Sequence, residues 1–278
     1  MTDPRVLRVQ AAGVLSRFRT DVYACLSRRA DALFELTEAA LCADGPVKAL
    51  VDLTLVPAHR RGHGAMYDGF NQGRIEIGRL RKMLAGLPLP RFANRQIVLA
   101  VDVSPWLRSD AACSPDRLFC HVYGRAKSAS QLIPGWPYLF VAVLEPGRSS
   151  WTQLLDAVRL GPADDATALT AKQLRDVVQR LIDCGQHHAS DPAILIVCGT
   201  GYDVTRLAFV LADLPVQLLG RIRADRVMLL PVPARLPGAT GRPPRHGGVF
   251  ALNDPASWPT PPATAKPKPP AGIGCTPG

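Results

Sequence analysis

One acidic residue stands out in the sequence because of its apolar surroundings. Asp102 lies inside the stretch IVLAVDVSPW, whose β-branched and aliphatic residues predict a strand. A lone carboxylate in such a strand is costly to bury unless a partner or a metal ion compensates its charge. At the exposed end of a sheet, it is the type of ligand with which two-metal enzymes of phosphoryl transfer hold their ions. The alternative is an Asp that caps a turn before Pro105.

A second stretch with chemical potential is IVCGTGYDVTR, residues 196–206, which runs from an apolar strand through two glycines into a predicted helix. Gly199 and Gly201 match the first two glycines of a dinucleotide fingerprint, in which backbone amides face a phosphate. Val204 stands in the place of the third glycine, and no acidic residue follows at the end of the next strand. Nucleotide binding by the Gly199-x-Gly201 loop is therefore the less favoured interpretation.

A cluster of basic residues precedes these two stretches. Apolar residues spaced by three and four from Met66 to Leu84 predict one continuous helix with a basic outer face. Such a face can bind DNA phosphates, and the alternative is an ordinary solvated helix surface. The candidate DNA-binding residues on this segment and on the loop before it are Arg60, Arg61, Arg74, Arg79, Arg81 and Lys82.

The composition narrows the classes of protein. The chain has 278 residues, a formal net charge of +10, and 47% hydrophobic residues, which excludes a disordered chain and favours a polyanionic partner. Its seven cysteines form no CxxC pair, which is typical of reduced thiols. The N-terminus is charged from the start and no apolar stretch approaches the length of a membrane span, so we expect a cytoplasmic protein without a membrane partner.

The order of predicted elements indicates how these residues are positioned. Residues 1–88 read as a helical N-terminal region that contacts DNA. Residues 94–256 then give three strands, a helical connection that begins near Trp151 and continues through residues 168–185, a fourth strand, a helix and a fifth strand. This order predicts an α/β domain with an RNase H-like mixed sheet and flanking helices. Residues 257–278 are Pro-rich and predict a disordered tail.

Several stretches together resemble the DDE-type transposases of bacterial insertion sequences, among them LAVDVSPWLRSDA, FCHVYGRAKSASQLIPGWPYLFVAVLE and GYDVTRLAFVLADLPVQLLGRIRADRVM. The resemblance runs from near the N-terminus to about Pro259. It implies an RNase H-like catalytic domain that uses three acidic residues and two Mg²⁺ or Mn²⁺ ions for DNA cleavage and strand transfer. It further implies transposon ends as the DNA partner and a homodimer as a possible assembly.

The resemblance assigns the acidic positions residue by residue. Asp102 matches the first acid and metal ligand. The second acid belongs to a pattern Asp-x-Gly-Tyr, and Gly199 occupies its position, with Asp203 four residues further on. The third acid belongs to a helix beyond the end of this chain, as a frameshift or truncation would leave it.

One carboxylate is too few for a two-metal site. Two dications about 4 Å apart repel each other by about 16 kcal/mol at an effective dielectric constant of 20, so several carboxylates must offset this energy. We therefore expect a transposase-family chain that is catalytically incomplete and binds Mg²⁺ or Mn²⁺ poorly. The alternative is a non-catalytic DNA-binding protein that uses the basic helix for binding and the sheet as a scaffold.

Overall fold

In the computed structural model, the chain forms two compact units. The first comprises Met1–Pro88 with Gln179–His188, and the second comprises Leu89–Val178 with Ala189–Gly278. The structure describes residues 4–45, 47, 49–123, 130–147, 151–199, 201–222, 226–234, 241–242 and 244–258.

The first unit is mainly helical. Its elements are α1 (Pro4–Tyr23), β1 (Leu26–Arg28), α2 (Ala30–Cys42), a 3₁₀ helix (Leu50–Leu55), α3 (His63–Gln72), β2 (Arg74–Ile75) and α4 (Ile77–Gly86). The two short strands pair antiparallel. A small core of buried apolar side chains joins α2, the 3₁₀ helix and α3, and its members are Leu36, Ala39, Leu53 and Met66. Burial of these residues, which come from three separate segments, fixes how the segments pack.

The predicted continuous helix over Met66–Leu84 is wrong. The structure has two helices, α3 and α4, separated by the strand β2. Gly73 ends α3 in an extended conformation, and its amide donates to the Gly69 carbonyl. A Cβ at Gly73 would overlap the Gly69 carbonyl oxygen and lie 2.5 Å from Leu33 Cγ, so only glycine lets the chain turn this close to α2. Helical spacing of apolar residues continued through this break, which is why periodicity missed it.

The second unit is built on a six-stranded mixed sheet. Its strands are β3 (Val98–Leu107), β4 (Leu118–Tyr123), β5 (Ser130–Leu144), β6 (Thr152–Arg159), β7 (Ile194–Cys198) and β8 (Val216–Gly220). They lie in the order β4-β5-β3-β7-β8, and β6 pairs with the other part of β5. Pairing is antiparallel for β3–β5, β4–β5 and β5–β6 and parallel for β3–β7 and β7–β8. The predicted α/β class with an RNase H-like mixed sheet is confirmed.

Two helices accompany the sheet. The long helix α5 (Ala166–Asp183) buries Leu174, Val177 and Val178, as its apolar spacing predicts. Gln173 on the same helix is 3% exposed, and its side-chain amide donates to the Leu139 carbonyl of β5 over 3.1 Å. The helix therefore covers one face of the sheet. The second helix, α6 (Val204–Val210), connects β7 to β8.

The helix predicted to begin near Trp151 is wrong, because Thr152–Arg159 form strand β6. Their partners are Tyr138–Leu144 of β5, with an irregularity between Val141 and Ala142. Leu155 and Asp156 are both buried even though they are neighbours, which an irregular register permits and strict alternation does not. The stretch is short and lacks clean alternation, so its periodicity did not distinguish a strand from a helix.

The end of the described chain is a small antiparallel pair. Strands β9 (Val227–Leu229) and β10 (Val249–Ala251) pair, and a second 3₁₀ helix covers Pro255–Ser257. Ser257 and Trp258 belong to structured chain rather than to the predicted tail, because the Trp258 indole donates to the Ala251 carbonyl over 3.0 Å. The rest of that predicted tail, residues 259–278, lies outside the described residues. Within the described part of the chain, every helix is too short or too polar to cross a bilayer.

Candidate active site

The sheet places Asp102 and Gly199 side by side. Val101 of β3 and Cys198 of β7 are the last register partners of this parallel pair. Asp102, in the middle of β3, and Gly199, the residue after β7, therefore lie where the pairing of the two strands ends. Asp102 is solvent-exposed, whereas Val101 is buried. A Cβ at Gly199 would lie 3.7 Å from Asp102 Oδ1, and no other atom of the described residues would come within 4 Å of it. The two positions that the resemblance assigns to acidic residues are thus neighbours in space.

Two further side chains, to which the sequence analysis assigned no role at this site, lie at the end of β7. The Tyr202 hydroxyl is buried and has no hydrogen-bond partner among the described residues. Burial, together with the charge of Asp102 and the neighbouring Cys198, raises the pKa of Tyr202. Burial likewise raises the pKa of the Cys198 thiol to about 11. The Cys198 thiol is therefore protonated at neutral pH in this structure.

Asp203 does not replace the missing second acid. Its carboxylate caps α6 by accepting hydrogen bonds from the Thr205 hydroxyl at 2.6 Å and from the Arg206 amide at 3.2 Å. These bonds lower the pKa of Asp203. A carboxylate at the first amides of a seven-residue helix also disfavours a phosphate there, which argues against nucleotide binding by the Gly199-x-Gly201 loop.

An ion pair ties the beginning of α6 to the beginning of α5. Both guanidinium ends of Arg206 donate to the Asp165 carboxylate, at 3.3 and 2.8 Å. Asp165 also accepts from the Thr167 and Ala168 amides at the first turn of α5. The Arg206 hydrogen bond and these amides lower the pKa of Asp165. This half-exposed ion pair thus links the first residues of α6 to the start of α5.

The predicted DNA-contacting residues do not share one helix. Arg60 and Arg61 lie in the loop before α3, Arg74 lies on β2, and Arg79, Arg81 and Lys82 lie on α4. Arg79 and Lys82, three residues apart, share a face of α4 and are exposed, whereas Arg81 is half-buried. Arg60 and Arg61 thus lie in the loop where the sequence placed them, whereas the predicted basic helix face is divided between the strand β2 and the shorter helix α4.

Arg61 is engaged within the first unit. Its guanidinium contacts Glu35 at 3.0 Å and Asp31 at 3.5 Å. Burial opposes ionisation of Glu35, but hydrogen bonds from the Arg60 and Arg61 amides and from the Arg61 side chain lower its pKa overall. Arg61 thus joins its loop to α2, a structural contact that competes with any phosphate.

Comparison with known families decides the identity of the fold. The sequence model of the family described as DDE superfamily endonuclease matches residues 21–271. The chain belongs to this family. The match extends beyond the predicted limit near Pro259, so the Pro-rich segment is included up to residue 271. No curated protein matches the chain.

Membership of this DDE family implies DNA as the class of substrate and divalent ions as the usual cofactors. The described residues contain no group of three or more His, Cys, Asp or Glu side chains placed to hold a metal ion. Where the pairing of β3 with β7 ends, Asp102 is the carboxylate that faces Gly199, and the Asp203 carboxylate caps α6. This donor set does not fit a pair of divalent ions.

Proposed function

We propose that this DDE-family chain binds DNA of an insertion sequence, at transposon ends, without cleaving it through its own strand-end site. The cysteine pattern, with six free thiols among the described residues, fits action in the cytoplasm. The protein is then a transposase-type DNA-binding protein that keeps the endonuclease fold, while its described residues do not supply the carboxylates of a two-metal endonuclease site.

The pairing of Asp102 with Gly199 carries this proposal. A two-metal mechanism needs carboxylates on both sides of the ions, because each ion adds two positive charges to a small volume. Here Asp102 supplies a carboxylate and Gly199 beside it supplies only backbone, although the space for a side chain exists. The positive net charge and the exposed Arg79 and Lys82 support the DNA-binding part.

A plasmid-nicking assay tests the absence of cleavage. Supercoiled plasmid is incubated with the purified chain in Mg²⁺ or Mn²⁺, and we expect no relaxed or linear product above background. Asp102→Ala is the matched control, and we expect it to behave as the parent chain does. Nicking by the parent that disappears in Asp102→Ala would refute the proposal, because it would show that other groups complete the metal site.

Fluorescence anisotropy with labelled duplex DNA tests the binding half separately. Phosphate contacts release counterions, so affinity should fall steeply as salt is raised. A chain that neither nicks nor binds duplex at low salt would refute the DNA-binding function while leaving the missing metal site unaffected.

A further inference from the structure

A row of aromatic side chains crosses three strands on the same face of the sheet as Asp102. Trp106 of β3 is the register partner of Trp136 of β5. Phe119 of β4 is the partner of Pro134, two residues before Trp136. Because side chains alternate between the faces of a strand, residues two or four apart share a face. Trp106 therefore lies on the Asp102 face, and Trp136 and Phe119 extend that face across β5 and β4.

Contacts hold these rings in place. The rings of Trp106 and Trp136 have centroids 5.6 Å apart and are inclined by 42°. The Trp136 indole donates to the Pro115 carbonyl over 3.3 Å. The guanidinium of Arg117 lies 5.3 Å from the centre of the Phe119 ring. A ligand that stacks on this row meets side chains already restrained, which lowers the entropy cost of binding.

The row faces solvent. Trp106 is 54% exposed and Phe119 is 53% exposed, whereas Leu139 and Val141, on the opposite face of β5, are fully buried. Neighbouring exposed aromatic rings on one surface mark a binding site rather than ordinary surface. Flat rings interleaved with an arginine are the combination that binds the bases of single-stranded nucleic acid.

The rim of the row carries positive groups that phosphates can reach. Arg108 follows β3, and Arg159 is the register partner of Tyr138, which shares the face of Trp136. Their ion pairs with Asp110 and Asp116 are solvent-exposed. Exposed ion pairs of this kind contribute little free energy, so a DNA phosphate can exchange with the aspartate. This charge pattern favours a nucleic acid over an apolar protein segment.

We propose that the row formed by Trp106, Trp136, Arg117 and Phe119 binds unpaired DNA bases by stacking. The inference rests on the proposed DNA-binding function and specifies that single-stranded DNA binds at this row. Trp106 lies four residues along β3 from Asp102, roughly 13 Å. A strand stacked on the row thus passes Asp102 within a few nucleotides, so unpaired bases are held where the family's chemistry takes place.

Tryptophan fluorescence tests the stacking directly. The full chain is titrated with an oligo-dT strand of about 12 nucleotides and with a strand of equal length in which every base is absent. We expect quenching by oligo-dT and little by the abasic strand, since only bases stack on indole. Trp106→Ala should weaken oligo-dT binding about tenfold. Trp151→Ala is the matched control, because Trp151 is 78% exposed and lies outside the row, and it should bind as the parent does.

The outcomes separate the alternatives. Phe119→Ala, a second substitution at an exposed ring, should also weaken oligo-dT binding. This variant tests the row if Trp106→Ala does not fold. Equal binding of the abasic strand, or unchanged affinity in both variants, overturns the proposal. A homodimer that either substitution dissociates also overturns it, because the row is then an interface between copies. Duplex binding that persists in a chain unable to bind oligo-dT leaves the proposed DNA-binding function intact.

Discussion

Gly199 lies where one more carboxylate would change the charge beside Asp102, at the point where the pairing of β3 with β7 ends. Its backbone is outside the left-handed region, and Asp102 Oδ1 is the described atom that a Cβ there would meet, so the position accepts a side chain. The lack of an acid is therefore a property of the sequence and not a steric demand of the fold. The buried Tyr202 hydroxyl, which has no hydrogen-bond partner among the described residues, adds no negative charge at neutral pH, because the pKa of Tyr202 is raised.

Gly199→Asp should create a measurable cation site. Two adjacent carboxylates hold a divalent ion better than one, and we expect Mn²⁺ to bind about tenfold more tightly than in the parent chain, as measured by electron paramagnetic resonance. Gly199→Asn, which has the same size and no charge, is the control and should resemble the parent. Plasmid nicking should stay absent, because two carboxylates still do not complete a two-metal site. Equal Mn²⁺ affinity in the Asp and Asn variants would contradict the predicted adjacency.

Much of this site could be predicted from the sequence at the residue level. Asp102 inside an apolar strand indicated an exposed carboxylate on the sheet, and the resemblance to the DDE-type transposases assigned the missing partner to Gly199. The roles of Tyr202 and Cys198 could not be predicted, because their burial depends on how β7 packs. The capping role of Asp203 was foreseeable from its place before a helix.

At the scale of the element, the turn at Gly73 determines how α3, β2 and α4 follow one another. The chain leaves α3 against α2, so close that no Cβ fits, and immediately pairs β2 with β1. This close approach divides the basic residues of the segment between two elements.

Gly73→Ala should destabilise the protein by about 1–3 kcal/mol, because the new methyl group overlaps the Gly69 carbonyl and Leu33. Gly78→Ala is the matched control. Gly78 lies in α4, and a Cβ at this position would meet no described atom within 4 Å, so alanine should be neutral or stabilise by up to about 1 kcal/mol. Urea unfolding of the three proteins measures both effects. A Gly73→Ala variant as stable as the parent would show that the break between the helices can relax without cost.

The type of an element could be predicted where its sequence pattern is long. Prediction failed where contacts with neighbouring elements determine whether a segment is a helix or a strand. The helix over Ala166–Asp183 has a long apolar stripe, and the strand around Asp102 has an unbroken run of β-branched and aliphatic residues before it. β6 is short and irregular, and it becomes a strand because β5 offers its backbone groups as partners. The end of α3 depends on a contact with α2 that no local pattern contains.

At the scale of the whole molecule, the excess of positive charge acts on DNA at a distance. The formal net charge of +10 attracts a polyanion irrespective of sequence, and this attraction weakens as salt screens it. Specific contacts add to the attraction only where cations are exposed on one surface, as Arg79 and Lys82 are on α4.

Arg79→Ala should reduce the affinity for duplex DNA and lower the slope of log K against log salt by about 1. Lys172→Ala is the control of equal charge change, since Lys172 on α5 is 73% exposed and contacts Asp176. It should leave the slope unchanged. Anisotropy titrations at several salt concentrations measure both slopes. An equal decrease in the two variants would mean that net charge, and not the α4 surface, governs binding.

The parallel pairing of β3 with β7 also has a consequence for synthesis on the ribosome. The antiparallel partner β5 and its neighbour β6 emerge soon after β3, but β7 emerges only after the whole of α5. During that interval the edge of β3 that ends at Asp102 presents unpaired amides and carbonyls, which other chains can capture. Pairing across such a long sequence separation is also slow. A nascent chain that stalls before Ile194 therefore has an unpaired, aggregation-prone edge on β3. We expect chaperones and proteases to act on such a chain.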